Sequence, residues 1–191
     1  MKKYFSISLV ACAIVLALFG LNCQRDHTET STGKPKSAID NLLESVKEGK
    51  IESVKEYIEQ GGDVNAQDNA KQFALLAAIW NKRNDITKYL LQHGANPNLT
   101  DMTGQSPVFV AAYEQNLEIL QELIAHKADV NIVTGSGETA LLRAVAWQNP
   151  TITSALLKAG ADPDKVSDKI LLGVGIKSRE EWNKLIKELT Q

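Results

Sequence analysis

The side chains that most often do chemistry are few in this chain, which has three histidines and two cysteines. His93 and His126 stand 33 residues apart at equivalent places in a repeating pattern. Packed helices lie about 8–10 Å apart while zinc ligands lie about 2 Å from the metal, so two such histidines would need help from other residues to share an ion. No nucleophile–histidine–carboxylate pattern or phosphate-binding glycine loop is visible. We therefore expect no enzyme activity, no metal site and no cofactor.

Short polar side chains form a second candidate site. They recur in pairs at one-repeat spacing: Asp63 and Asn65, Asn96 and Asn98, Asp129 and Asn131, Asp162 and Asp164. Their oxygens are of the type that calcium prefers. Short polar side chains also satisfy backbone groups in turns, and we expect that structural role here.

Cys23 is the remaining reactive side chain. Lys2 and Lys3 precede an apolar run over residues 7–21, which is typical of an export signal and shorter than the roughly 20 residues that span a bilayer. We predict a signal peptide over residues 1–22. The segment Leu18-Phe19-Gly20-Leu21-Asn22-Cys23 resembles the lipobox of bacterial lipoproteins.

This resemblance implies that Cys23 is acylated and that the chain is anchored in a membrane of the bacterial cell envelope, facing the periplasm or the surface. Gly20 and Asn22 depart from the usual pattern, which has Leu three residues before the cysteine and Gly, Ala or Ser immediately before it. Cleavage by a conventional peptidase, or retention of the segment as an anchor, are the alternatives. The polar residues 23–36 are predicted to form a disordered tether after the lipidated cysteine.

Two blocks of sequence recur every 33 residues, which predicts stacked units. One block occupies residues 73–78, 106–111 and 139–144, and the other occupies 61–65, 94–98, 127–131 and 160–164. Ser106-Pro107-Val108-Phe109-Val110-Ala111 and Gly94-Ala95-Asn96-Pro97-Asn98 resemble the two conserved segments of the ankyrin repeat. The resemblance implies an all-α ankyrin-repeat solenoid of helix-turn-helix-loop units.

The predicted units are an N-terminal capping repeat over residues 37–68, repeats over 69–101, 102–133 and 134–165, and a C-terminal helical cap over 166–191. Ser178 and Glu181 suggest a capping box at the start of the last helix. Glycine at positions 61, 94 and 160 should end each second helix in the left-handed conformation. Lys127 occupies the equivalent position, so its unit should have a weakened helix end.

In ankyrin proteins, partners usually dock on the concave face formed by loop tips and first-helix edges. By register, the resemblance assigns ten partner-binding residues here: Trp80, Asn81, Tyr113, Glu114, Trp147, Asn69, Gln72, Met102, Gln105 and Glu138. Trp80 and Tyr113 should stand side by side, with Trp147 one residue out of step in the next unit. Tryptophan and tyrosine are enriched in binding hot spots. The alternative is that the rings pack against neighbouring helices without a partner.

The balance of 21 basic and 23 acidic residues provides no cationic excess for nucleic acid. We expect a monomeric, non-catalytic protein-protein interaction module that is tethered to the membrane and recruits or inhibits an envelope protein. An immunity-type inhibitor of a toxic envelope enzyme is the alternative. An enzyme or a metal-handling protein is a remote alternative.

Overall fold

The computed structural model describes residues 36–190, and this part contains ten α-helices, one 3₁₀ turn and no strand. The helices are α1 (Ala38–Glu48), α2 (Ile51–Glu59), α3 (Ala74–Trp80), α4 (Asn84–Gln92), α5 (Pro107–Tyr113), α6 (Leu117–Ala125), α7 (Ala140–Ala146), α8 (Pro150–Lys158), α9 (Asp168–Gly173) and α10 (Arg179–Leu189), with the 3₁₀ turn at Pro163–Lys165. The predicted signal peptide, Cys23 and all of the predicted tether except Lys36 lie outside the described residues. Within them, no helix is both long and apolar enough to cross a membrane.

The first eight helices form four pairs, each joined by a tight turn. Local sequence fixes where they begin: Ser37 and Asp40 form a complete capping box on α1, while the Ser106 and Thr139 hydroxyls accept backbone N–H groups of α5 and α7. Pro107 follows Ser106 at the first position of α5, where a missing N–H has no cost. The all-α repeat architecture expected from the sequence is confirmed.

Each pair buries one face against its neighbours. The first helices α3, α5 and α7 are buried over most of their length, and Ala78, Ala111 and Ala144 lie at the contacts between them. The second helices bury a stripe, such as Ile119, Leu120 and Leu123 of α6. Because each stripe is covered by adjoining units, one continuous core runs through the stack.

Loops between the pairs are tied together by the short polar residues. The Asn65 amide oxygen accepts a hydrogen bond from the Asn96 backbone N–H at 2.7 Å, and Asn98 and Asn131 repeat this contact in the following units. Asp63 accepts from the N–H two residues along its own turn. The turn-forming role that the sequence predicted for these residues is confirmed.

The ends of the second helices follow the glycine prediction. Gly61, Gly94 and Gly160 have φ angles of 84°, 85° and 89°, and Lys127 adopts the same conformation with φ of 61°. A residue with a Cβ costs about 1–2 kcal/mol in this region. The sequence-based prediction of a strained helix end at Lys127 is confirmed in its geometry.

The chain ends in a helical cap. Trp182 of α10 is fully buried, and its indole N–H donates to the Pro163 carbonyl at 3.2 Å. The capping box predicted at Ser178 forms only in part. The Ser178 hydroxyl accepts the Glu181 N–H as expected, but the Glu181 carboxylate accepts the backbone N–H of Lys177 at 2.7 Å, one residue before the N-cap.

Candidate functional site

Three aromatic rings form a continuous row, which we call the aromatic ladder: Trp80, Tyr113 and Trp147. The Trp80 and Tyr113 ring centroids are 5.5 Å apart at an interplanar angle of 63°, and those of Tyr113 and Trp147 are 6.0 Å apart at 83°. Both contacts are edge-to-face, which is a favourable geometry for aromatic pairs. The predicted adjacency of Trp80 and Tyr113 is therefore confirmed, and Trp147 continues the row.

The repeat explains why the rings meet. Trp80 is the last residue of α3, Tyr113 is the last residue of α5, and Trp147 directly follows α7. Packing of α3 on α5 and of α5 on α7 brings these helix ends together. The three side chains nevertheless keep 37%, 36% and 50% of their surface exposed, so a large apolar area remains in contact with water.

Arg143 supports the middle of the ladder, and the sequence reasoning missed it. Its guanidinium lies 5.7 Å from the Tyr113 ring centroid and 5.9 Å from that of Phe109. The equivalent residues of the two preceding units are Ala77 and Val110. A charged residue at a position that is apolar in the other units is the signal that could have identified it.

Two ion pairs flank the ladder. Lys82 pairs with Glu114 at 3.0 Å, and Arg143 pairs with Glu138 at 2.5 Å. The carboxylate side chains are only 18% and 17% exposed. Glu114 and Glu138, which the resemblance assigns to the partner-binding surface, are therefore each already paired with a cation within the chain.

Hairpin-like loops at residues 68–72, 101–105 and 134–138 border the ladder. Asn69 and Met102 are exposed at their tips, as predicted, and Met102 is 69% exposed. Gln72 is also exposed, as predicted, and pairs with Asp68 at the base of the first hairpin. Gln105, which closes the second hairpin with Asp101, is half-buried instead. Asn81 is exposed, but its amide donates to the Ala77 carbonyl at 2.7 Å and so caps α3.

A groove beside Trp80 connects the hairpins with the helices. Its walls include Lys47 from α1, Leu76 from α3, and Gln72 and Asp101 from two successive hairpins. At the other end, the Arg143–Glu138 pair joins the third hairpin to α7. The ladder and the three hairpins therefore form one surface, which we call the ladder face.

The histidines take structural positions away from this face. A ring nitrogen of His93 lies 2.8 Å from the Tyr89 carbonyl, and that of His126 lies 2.9 Å from the Glu122 carbonyl. The His93 ring also contacts the Tyr89 ring, with centroids 3.9 Å apart. Among residues 36–190, no group of three or more histidine, cysteine or acidic side chains is arranged to hold a metal ion.

Comparison with known protein families gives a single assignment. The sequence profile described as ankyrin repeats (3 copies) matches residues 14–101, 42–134 and 94–167, which together cover most of the chain. The chain belongs to the ankyrin-repeat family. Ankyrin repeats generally mediate protein-protein interaction and act as non-catalytic scaffolds. A comparison with curated proteins finds no match.

Proposed function

We propose that this ankyrin protein is a membrane-tethered lipoprotein of the bacterial cell envelope that binds another protein through its aromatic ladder, and so recruits or inhibits it. The observation that carries the binding proposal is the exposure of the ladder. Trp80, Tyr113 and Trp147 retain over a third of their surface in water although they already contact one another. Burying that surface against a partner would contribute about 25 cal/mol per Å².

The composition of the ladder face supports the same proposal. Binding hot spots are enriched in tryptophan, tyrosine and arginine, and the ladder combines two tryptophans with a tyrosine that contacts Arg143. Met102, exposed at a neighbouring hairpin tip, adds a flexible apolar side chain that adapts to irregular surfaces. Rings that are held in place by their neighbours also lose little conformational freedom on binding.

Trp147→Ala tests the binding proposal. This residue is the most exposed of the three rings and has one ring contact, so removing it should cost about 0.5–1.5 kcal/mol of stability. Loss of a hot spot costs about 2 kcal/mol or more of binding energy, which is about 30-fold in Kd. The matched control is Leu172→Ala in the cap, an apolar residue that is 60% exposed and lies outside the ladder.

Partner capture should fall with Trp147→Ala and remain at the wild-type level with Leu172→Ala, measured well below both thermal midpoints. If the wild type and both variants captured the partner equally well, the ladder would not be part of the binding site. Copurification from membranes then distinguishes the two modes of action. One stoichiometric enzyme, inactive in the complex, supports an immunity-type inhibitor, whereas several different partners support a scaffold that recruits proteins.

The membrane tether is a separate part of the proposal and depends on Cys23. Its support is the basic start of the chain, the apolar run and the polar segment that follows the cysteine. Cys23→Ala should abolish incorporation of labelled fatty acid and release the protein from membranes. Cys12→Ala, which changes the other cysteine of the chain, is the control and should retain the label. Labelling of the Cys23→Ala variant would refute acylation at this residue.

A further inference from the structure

We propose that the partner presents to the ladder face an uncharged, apolar stripe of an α-helix, which lies along the aromatic ladder. This inference rests on the proposed function, because it specifies the partner of the same surface. Three features of the face carry it: the balance of its charges, the spacing of its rings and the angle between them.

Three ion pairs match charges of the ladder face within the chain. Lys82 and Arg143 pair with the carboxylates of Glu114 and Glu138. At the first unit, Glu48 pairs with Lys50 at 2.6 Å. A partner that brought charges to these positions would have to compete with existing pairs and lose hydration in return for little gain.

Two further carboxylates on the face are held by their own hairpins. Asp68 accepts the N–H groups of Ala70 and Gln72 at 2.8 Å, and Asp101 accepts those of Thr103 and Gln105 at 2.9 and 3.0 Å. Lys47 and Lys71 form no ion pair with any residue that the structure describes, so these two cations offset the two hairpin carboxylates in charge. The charges named here sum to zero, which favours a partner recognised by apolar contact rather than by charge.

The ring spacing matches a helix better than an extended strand. The centroids of neighbouring rings are separated by 5.5 Å and 6.0 Å, so the row is no longer than these two steps together. One turn of an α-helix advances about 5.4 Å, whereas alternate residues on one side of a strand advance about 6.6–6.8 Å. Apolar residues at positions i, i+4 and i+7 of a helix span about 10.5 Å, which lies within the two steps together. Three alternate strand residues span about 13 Å and exceed them.

The ring angles disfavour partners that bind by stacking. With interplanar angles of 63° and 83°, neighbouring rings of the ladder do not present parallel faces on which successive bases or sugars could stack. Centroid separations of 5.5 and 6.0 Å also leave no room for another ring between them, since stacked rings require about 3.5 Å on each side. These contacts favour a partner whose side chains pack against the exposed parts of the rings, as those of a helix face can.

Selection from a peptide library tests the inference without a known partner. A display library of random peptides of about 18 residues, or five helical turns, is selected on the immobilised full chain. Peptides that also bind Trp147→Ala are removed. The peptides that remain should bind the control variant Leu172→Ala as well as they bind the wild type. We expect the recovered peptides to share apolar residues at spacings of three and four, to carry a net charge near zero, and to gain helical circular dichroism on binding.

Salt dependence provides the second measurement. The Kd of the recovered peptides should change by less than about twofold between about 50 and about 500 mM NaCl, because no net charge is neutralised on binding. Alternating apolar residues, a common excess of one charge sign, or a Kd that rises more than about tenfold with salt would overturn this inference and leave the proposed function standing. Failure to recover any peptide that distinguishes wild type from Trp147→Ala would also overturn this inference, whereas partner capture by Trp147→Ala decides the proposed function.

Discussion

Replacing Lys127 by glycine should stabilise the protein, because this lysine holds a backbone conformation that costs a Cβ-bearing residue energy. Its φ of 61° lies in the left-handed region, where the three equivalent positions have glycine. Release of that strain contributes about 1–2 kcal/mol. The greater freedom of glycine in the unfolded chain offsets about 0.4–1 kcal/mol of this. At the midpoints of these two ranges, the net gain is about 0.8 kcal/mol.

The side chain of Lys127 does not complicate this estimate. It is exposed and forms no ion pair or hydrogen bond with the residues that the structure describes. At the equivalent glycines 61, 94 and 160, a Cβ would meet no atom within 4 Å. The position is therefore open in space, and the cost at this site is one of backbone conformation alone.

Urea denaturation of wild type, Lys127→Gly and Lys127→Ala measures the effect. Alanine removes the same side-chain atoms but keeps the Cβ, so Lys127→Ala should have nearly wild-type stability. Lys127→Gly should unfold at a higher urea midpoint with an unchanged slope, and its thermal midpoint should rise by about 1–4 °C. If alanine and glycine were equally stable at this position, the backbone there would not be strained and our reasoning would be refuted.

Three other predictions concern the cap, a surface ion pair and a hairpin. Trp182→Ala should lower the free energy of unfolding by about 3–5 kcal/mol, the range for truncating a buried aromatic residue, because the ring is fully buried. If calorimetry showed a loss of less than about 1 kcal/mol, the cap would not depend on this ring. The hydrogen bond from Lys88 holds the pKa of Glu118 below its ordinary value. The Glu118 carboxylate therefore stabilises the fold at pH values above the pKa that it has in the unfolded chain, and this contribution is lost as the pH falls. An NMR titration should show a higher pKa for Glu118 in Lys88→Ala, and an unchanged pKa would exclude the pairing in solution. Gly104→Ala should cost more than about 1–2 kcal/mol, since φ is 78° and its Cβ would lie 2.8 Å from the backbone nitrogen of Gly135; an unfolding midpoint close to wild type would show that the hairpins can separate.

The repeat architecture could be predicted from the sequence because similar residues recur at the same positions in each unit. Glycine at 61, 94 and 160 indicates a helix end that requires a left-handed residue. Alanine at 78, 111 and 144 indicates close contact between helices. One such residue would be ambiguous, but a constant step of 33 residues removes the ambiguity. The same step placed the aromatic side chains, because residues at one register position lie next to each other in the stack.

Register does not predict what a side chain contacts. Glu114 and Glu138 occupy positions that face outward in the repeat, and on that basis both were assigned to the partner-binding surface. Lys82 of the preceding unit and Arg143 of α7 pair with them and leave them half-buried. Such pairs depend on the particular residues that meet across units, so the repeat pattern alone cannot supply them.

Left-handed residues in two kinds of turn could also have been predicted from the sequence. Lys82, Gln115 and Gln148 are left-handed at the turn between paired helices, with φ of 55°, 55° and 52°. Their register is that of Gly49, whose φ is 78°, so the glycine of the first unit indicated the conformation of the other three. Lys71 is a similar case, since glycine occupies its position in the next two hairpins.

Site-specific photo-crosslinking in cells tests the central claim most directly. A benzophenone side chain is placed at position 147 in the aromatic ladder, or at position 172 in the cap as the control, and the cells are irradiated. Our account predicts a protein adduct from position 147 and none from position 172. An adduct from position 172 alone, or no adduct from position 147, would contradict the claim that this ankyrin protein binds its partner through the ladder.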